Sequence, residues 1–246
     1  MLRRKLGKLF HGGRLAAALF FAFAAAQTGA AQAPQPVTFH NNTMADFSAT
    51  SGEPIVKVDP RDRIFVTTPF GLSTSVSILW RSDDGGRSYI PLGSPVTRDA
   101  VTGPGGGDSD VDFDARGRVY FIDLSAACVT VAVSEDGGNT FPSDRTSYIT
   151  CVSDKTIGAV DDRQWIAGFG DGTAYMTWRR FTGVGPLPFF MWKTRDAGRT
   201  WDKGRQLGLV TQSGPLRADK QKRRVTVGGE ARDAILVYQI YYNGND

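Results

Sequence analysis

The 246-residue sequence predicts an all-β fold assembled from repeated four-stranded sheets. A short motif with the pattern Ser/Thr-x-Asp-x-Gly-x-Ser/Thr-aromatic occurs three times, at 82–89, 134–141 and 194–201. The steps between its aspartates are 52 and 60 residues, a period typical of arrays in which each repeat is one small sheet. Each copy follows an apolar, β-prone run, and no segment shows convincing helical periodicity.

The repeat motif has the composition of a tight turn between two strands. Its aspartate can accept hydrogen bonds from backbone N–H groups, its glycine supplies a positive φ, and its aromatic side chain packs between sheets. These parts are carried by Asp84, Gly86 and Tyr89, then Asp136, Gly138 and Phe141, then Asp196, Gly198 and Trp201. They resemble the Asp-box, or BNR repeat, of sialidase-like β-propellers. The resemblance implies a propeller of four-stranded blades, six in an intact member, with the motifs on the face away from the ligand.

The first repeat, at about 52–98, has the elements of one blade in order. Pro60 presets φ in the turn after the first strand, and the repeat motif joins the third strand to the fourth. Residues 34–50 before it are interpreted as a lead-in that can supply a closing strand. The strands are predicted at 54–58, 64–68 and 75–80, with a fourth starting at 90.

The second and third repeats, at about 107–152 and 162–210, show the same order of strands and turns. The second strands of the three repeats are spaced by 55 residues, as shown by the equivalent positions Ile64, Val119 and Ala174. Equivalent positions in the three blades can therefore be aligned by this spacing.

The fourth repeat, at about 214–246, is incomplete. It reaches a second strand at 234–242 but contains no third strand and no fourth copy of the motif. About three and a half blades leave two apolar sheet faces without neighbours. We therefore expect 34–246 to be a partial propeller from a truncated or longer protein. The alternative is that two half-rings associate to close.

Residues 1–33 have the layout of a secretory signal peptide of bacterial type. Five basic residues and no acid precede or enter an apolar run at 15–26, and Ala-x-Ala patterns follow. A membrane anchor is the rival interpretation, but the run is shorter than the roughly 20 residues that span a bilayer. We expect a secreted or periplasmic protein. Without this segment the chain has 24 Lys and Arg against 25 Asp and Glu, which gives no support for nucleic-acid binding.

Two cysteines, Cys128 and Cys151, flank the second motif. A disulfide is the natural expectation for an exported protein. If the motif turns one strand back onto the next, the midpoint between the cysteines falls inside that turn, so they face each other across the hairpin. Two separate buried thiols are the alternative. A metal site is not expected from two cysteines without a nearby histidine.

The candidate catalytic residues, Asp108 and Asp110, lie on the presumed innermost strand of the second blade. Asp108, Asp110, Asp112 and Asp114 alternate, so all four carboxylates can project on one face. A Ca²⁺ site or an acid cluster at the mouth of the channel is one interpretation, although no known calcium-loop spacing is matched. The other is that Asp112 and Asp114 are turn and solvent residues. No other cofactor is predicted.

Three further residues are candidates for substrate binding: Asp162, Arg163 and Arg217. Aligning the repeats by their second strands places Arg163 at the same position as Glu53 and Asp108, with Asp162 beside it. An arginine beside an acid can shape a pocket for sugars or carboxylates. The alternative is a local ion pair.

Two functions are compatible with the sequence. The resemblance implies an exo-sialidase-type glycoside hydrolase, a class that grips its substrate with three arginines and uses an aspartate and a tyrosine–glutamate pair. The Phe/Tyr-Arg-Ile-Pro motif for the first arginine is missing, and Tyr89-Ile90-Pro91 resembles it only superficially. The alternative is a non-catalytic propeller that binds a glycan or a cell-surface protein. His40 is the only histidine outside the signal segment, which argues against a Ser-His-Asp triad.

Overall fold

The structure, a computed structural model, describes residues 42–47, 52–69, 77–95, 106–125, 128–151, 160–182 and 185–242. The predicted signal peptide lies outside these residues. In the described part of the chain, no helix has the length and apolar character needed to cross a bilayer.

Three antiparallel sheets of four strands follow one another along the described chain, and in each the spatial order of the strands is their chain order. The predicted all-β class is confirmed. The first sheet contains β1 (Ile55–Val58), β2 (Ile64–Pro69), β3 (Ser77–Ser82) and β4 (Ile90–Gly93). The second contains β5 (Gly106–Phe113), β6 (Val119–Ser125), β7 (Cys128–Ser134) and β8 (Thr146–Cys151). The third contains β9 (Val160–Gly170), β10 (Thr173–Phe181), β11 (Leu187–Thr194) and β12 (Arg205–Val210).

The last part of the described chain departs from this pattern. Strand β13 (Gln212–Ala218) pairs with β16 (Val237–Tyr242), and a separate hairpin of β14 (Arg223–Val227) and β15 (Glu230–Ala234) is inserted between them. The predicted second strand at 234–242 therefore begins later, at Val237, because the residues before it belong to the inserted hairpin.

Apolar side chains fill the spaces between successive sheets. Phe65 of the first sheet and Phe113 of the second are fully buried or nearly so, with ring centroids 4.8 Å apart. Tyr120 and Ile166 join the second sheet to the third in the same way. The first strands of successive sheets, β1, β5, β9 and β13, also contact one another, which makes them the innermost strands of the array.

The three repeat motifs fold into the same hydrogen-bonded turn. In the second motif, Asp136 Oδ1 accepts hydrogen bonds from the Ser134 hydroxyl at 2.7 Å and the Thr140 amide at 2.9 Å. Burial raises the pKa of Asp136, but the hydrogen bonds from Ser134 and Thr140 outweigh it, so the pKa lies below its ordinary value. The glycine φ angles are positive in all three copies, at 85°, 91° and 83° for Gly86, Gly138 and Gly198. The motifs are therefore structural turns.

The turns predicted after the first strands of the first and second repeats contain an ion pair that was not predicted from the sequence, and the turn recurs with its ion pair in the last sheet. An aspartate at the end of a first strand pairs with an arginine four residues later, and its Oδ1 accepts the backbone N–H two residues on. The pairs are Asp59–Arg63, Asp114–Arg118 and Asp219–Arg223, with N–O distances of 2.5, 2.6 and 2.6 Å. This turn fixes the far end of the innermost strands in the first, second and last sheets.

The two cysteines lie opposite each other in the second sheet. Cys128 is the register partner of Cys151 in the pairing of β7 with β8. Cys128 is disulfide-bonded.

Candidate functional site

Three side chains meet where the innermost strands begin: Glu53, Asp108 and Arg163. The Arg163 guanidinium lies 3.2 Å from Asp108 Oδ1 and 3.3 Å from Glu53 Oε1. We call this trio the mouth cluster. Its side chains are 56% exposed at Glu53, 13% at Asp108 and 34% at Arg163, so a ligand can reach it from solvent.

The backbone of the mouth cluster is unusual. Glu53 has a φ of 48° and Arg163 a φ of 51°, both in the left-handed region that side-chain-bearing residues rarely adopt. Such conformations persist only where surrounding contacts hold them, and they concentrate at functional sites. Here they lie at corresponding positions of the first and third sheets, on either side of Asp108.

The two carboxyl groups of the mouth cluster titrate in opposite directions. Burial raises the pKa of Asp108 to about 7, the hydrogen bond with Glu53 adds to the rise, and the charge of Arg163 opposes it. The same hydrogen bond, from Asp108, lowers the pKa of Glu53. The pair therefore holds one proton near neutral pH, mainly on Asp108, in the manner of coupled carboxyl groups.

Asp110, the second predicted catalytic residue, is an internal counter-ion. Its side chain has no exposed surface, and Lys57 Nζ lies 2.9 Å from its Oδ1. The Ile166 amide of β9 donates to Oδ2 at 3.1 Å. Burial raises the pKa of Asp110, although Lys57 opposes the rise. A substrate cannot reach this carboxylate, so the catalytic prediction for Asp110 is corrected: it joins β1, β5 and β9.

Asp112 is held in a similar way at the next alternate position. Its Oδ2 accepts the Gly168 amide at 2.8 Å and lies 3.0 Å from Lys220 Nζ. Lys220 also donates to the carbonyl oxygens of Phe113, at 2.7 Å, and of Gly168. Lys220 thus fastens the last part of the chain to the second and third sheets.

All four alternating aspartates, which we call the aspartate ladder, are paired with a cationic side chain. Asp114 belongs to the recurring turn and also accepts the Tyr120 hydroxyl at 3.2 Å. The four pairs are Asp108–Arg163, Asp110–Lys57, Asp112–Lys220 and Asp114–Arg118. In the described part of the chain, no three His, Cys, Asp or Glu side chains are grouped as a metal site. The ladder is thus held together by protein cations.

The other two predicted binding residues lie in different surroundings. Asp162 Oδ2 is 2.6 Å from the guanidinium of Arg179, which also reaches Gln212 at 3.1 Å. Arg217 is exposed, and none of the contacts within the described residues joins it to the mouth cluster. It stands two residues before Asp219, at the opposite end of the innermost strands, and so does not form a pocket with Arg163.

The fold is similar to that of known β-propeller enzymes. An α-L-arabinofuranosidase from Fusarium graminearum matches with a TM-score of 0.51 at 10% identity, over 76% of this chain and 61% of that one. An α-L-arabinanase from Penicillium chrysogenum has a TM-score of 0.46 and 11% identity, over 82% of this chain and 65% of that one. An endo-arabinase from Bacteroides thetaiotaomicron has a TM-score of 0.47 and 15% identity, over 82% of this chain and 80% of that one. The arabinofuranosidase likeness establishes a β-propeller fold. The chain spans 61% of that enzyme's length. No family model and no curated protein matches the sequence.

Proposed function

We propose that this chain is a carbohydrate-acting β-propeller module whose ligand contacts the mouth cluster. The observation that carries the proposal is the solvent-reachable Asp108, whose pKa of about 7 fits proton transfer at neutral pH. Asp108, Glu53 and Arg163 together supply hydrogen-bond acceptors, a hydrogen-bond donor and a charge within one small site. Sugar hydroxyl groups are recognised by such mixed polar groups. The structurally similar proteins are an arabinofuranosidase and arabinanases, which agrees with a glycan ligand.

Asp108 and Glu53 act as one acid/base unit in this proposal. The two carboxyl groups of a glycosidase stand about 5 Å or more apart, on either side of the scissile bond. Glu53 and Asp108 instead share a hydrogen bond, so neither can play the opposite-side role for the other. Asp108 donates the proton, and Glu53 together with Arg163 sets how readily it leaves.

A neutral sugar suits the mouth cluster better than sialic acid. Arg163 is already paired with Asp108 and Glu53, so a sialate carboxylate would approach one guanidinium flanked by two acidic groups. Arg217 lies at the far end of the innermost strands and does not supply a second arginine to the site. An exo-sialidase-type activity is therefore the weaker form of the proposal.

A non-catalytic carbohydrate-binding propeller is the second candidate. Glycosidases use two separate carboxyl groups, whereas the described part of the mouth holds one acid/base unit, Asp108 with Glu53. Asp162, the next carboxylate along the chain from Arg163, is paired with Arg179. We also propose that the protein is exported from the cell, because residues 1–33 have the layout of a signal peptide. Glycan ligands are abundant outside the cell.

The test combines binding and turnover with the full chain. Arabino-, galacto- and sialo-oligosaccharides are titrated between pH 5 and 9, and release of a chromogenic aglycone is followed in parallel. Binding of a neutral oligosaccharide should change near pH 7, and Asp108→Asn should abolish that transition. Asp171→Asn, an 81% exposed residue in a distant turn, is the matched control. Binding without turnover selects the second candidate, and no pH-dependent difference between wild type and Asp108→Asn would contradict both.

A further inference from the structure

The hairpin inserted in the last sheet has no counterpart in the other three. Where those sheets pass from first to second strand through a short turn, this one inserts β14 and β15 between β13 and β16. Every residue at 226–233 is exposed, as are those at 221–224, so the hairpin stands away from the packed sheets. Insertions into one repeat of an array commonly carry a binding function, because they lie on the surface and leave the packing of the core unchanged.

The end of β13, the turn after it and the inserted hairpin together carry an excess of basic residues. Residues 217–234, which we call the basic hairpin, contain six Lys and Arg against three Asp and Glu. Residues 34–200 carry the opposite excess, with 16 Lys and Arg against 20 Asp and Glu. Three of the six bases, Arg217, Lys220 and Lys222, precede β14, so the excess positive charge is spread over the end of β13, the turn and the hairpin of a chain that is otherwise slightly acidic.

Internal ion pairs neutralise only part of this charge. Arg223 is paired with Asp219 at 2.6 Å, and Arg224 meets Asp233 at 3.3 Å with both side chains more than 60% exposed. Lys220 turns inward to the aspartate ladder. Among the described residues, no carboxylate pairs with Arg217, Lys222 or Arg232.

We propose that the basic hairpin is a second binding site, for an acidic polysaccharide that carries carboxylate or sulfate groups. Arginine forks bind such planar or tetrahedral anions through paired hydrogen bonds, and Lys222 adds a point charge. Nucleic acid is less suited, since residues 219–234 contain no aromatic side chain on which a base could stack. A membrane surface is less suited, because the hairpin has no bulky apolar anchor beyond its valines. The choice of a polysaccharide rests on the proposed glycan function.

The position of the basic hairpin makes it independent of the mouth cluster. It follows Asp219, whose recurring turn lies at the far end of the innermost strands from Glu53 and Asp108. A polysaccharide held there would tether the protein to its polymer and leave the mouth free. Loss of one site should therefore leave the other intact.

The experiment measures binding of the full chain to immobilised heparin and polygalacturonate, with dextran as the neutral polymer, between 50 and about 300 mM salt. Arg217→Gln/Lys222→Gln/Arg232→Gln should weaken binding to both acidic polymers roughly tenfold at low salt, from three lost charge contacts. The control, Arg87→Gln/Arg116→Gln/Arg195→Gln, removes the same charge from other exposed sites and should change binding by less than about twofold. Oligosaccharide binding at the mouth should be unchanged in the hairpin variant.

Four results would overturn the proposal. They are no retention on either acidic polymer, equal losses in the two triple variants, tighter binding to DNA of equal charge density, and tighter binding to vesicles containing phosphatidylserine. Because the mouth is titrated separately, failure of the glycan function and failure of the hairpin site give different patterns.

Discussion

The pair formed by Lys57 and Asp110 allows a quantitative test of how an acidic strand is accommodated inside the array. Its side chains are only 10% and 0% exposed, at a separation of 2.9 Å. Replacing Lys57 by Met leaves a carboxylate buried without its cation, which should cost about 3–5 kcal/mol of the free energy of unfolding. The matched control is Arg195→Met. Arg195 and Asp202 are closer, at 2.6 Å, but 61% and 54% exposed, so its loss should cost less than about 1 kcal/mol.

The pH dependence of this loss gives a second, independent check. Burial raises the pKa of Asp110, and Lys57 opposes that rise. Without Lys57 the folded-state pKa should rise further above the unfolded value. The folded protein then holds a proton that the unfolded chain has lost, so stability falls as pH rises toward the folded pKa. The cost of Lys57→Met should be smallest near pH 4 and grow by roughly 1.4 kcal/mol for each additional pKa unit.

Urea unfolding followed by tryptophan fluorescence at pH 4.5 and 8 measures both quantities. A double variant, Lys57→Met/Asp110→Asn, removes the stranded charge and should recover part of the loss at pH 8. A cost of Lys57→Met below about 1 kcal/mol at pH 8, or one that does not vary with pH, would refute the reasoning that this pair is a buried charge pair.

The remaining predictions concern the turns and the disulfide, each followed by the urea midpoint. Gly138→Ala should destabilise by about 1–3 kcal/mol, since φ is 91° and a Cβ would lie 2.9 Å from Leu92 Cδ1, whereas Gly228→Ala, with φ 62° and open space, should cost less. Equal costs would contradict the packing argument. Asp136→Ala removes the acceptor at the centre of its turn and should cost about 1–3 kcal/mol. Cys128→Ser should cost about 2–4 kcal/mol, and a reductant should lower the wild-type midpoint but not that of the variant.

The sheets of the first three repeats were predictable because their turns are encoded locally. A motif such as 134–141 contains its own hydrogen-bond donors, acceptors and positive-φ glycine, so its fold hardly depends on distant residues. The inserted hairpin was missed, although it carried a readable signal. Gly228 and Gly229 form a two-residue link between β14 and β15, and both have positive φ, as tight hairpins require.

The site was only partly predictable for a different reason. The 55-residue register aligned Glu53 with Asp108 and Arg163, and the structure brings these side chains into contact. Strand alternation could not separate Asp108 from Asp110, because both face the same way and differ only in depth. Lys57 was also missed, since a cation supplied across two sheets is not a sequence neighbour of its carboxylate.

The number of cations available to each carboxyl group differs along the aspartate ladder. This difference distinguishes Asp108, where we propose proton transfer, from the other three aspartates. Asp110, Asp112 and Asp114 each have a cation of their own. At the mouth, one guanidinium is shared between Asp108 and Glu53, so one carboxyl group is in excess. Burial raises the pKa of Asp108 to about 7, and the hydrogen bond with Glu53 adds to the rise. Solvent reaches the ladder at the mouth, through Glu53 and Arg163. Proton exchange with the sugar ligand that we propose is therefore possible at Asp108 and not at the fully buried Asp110.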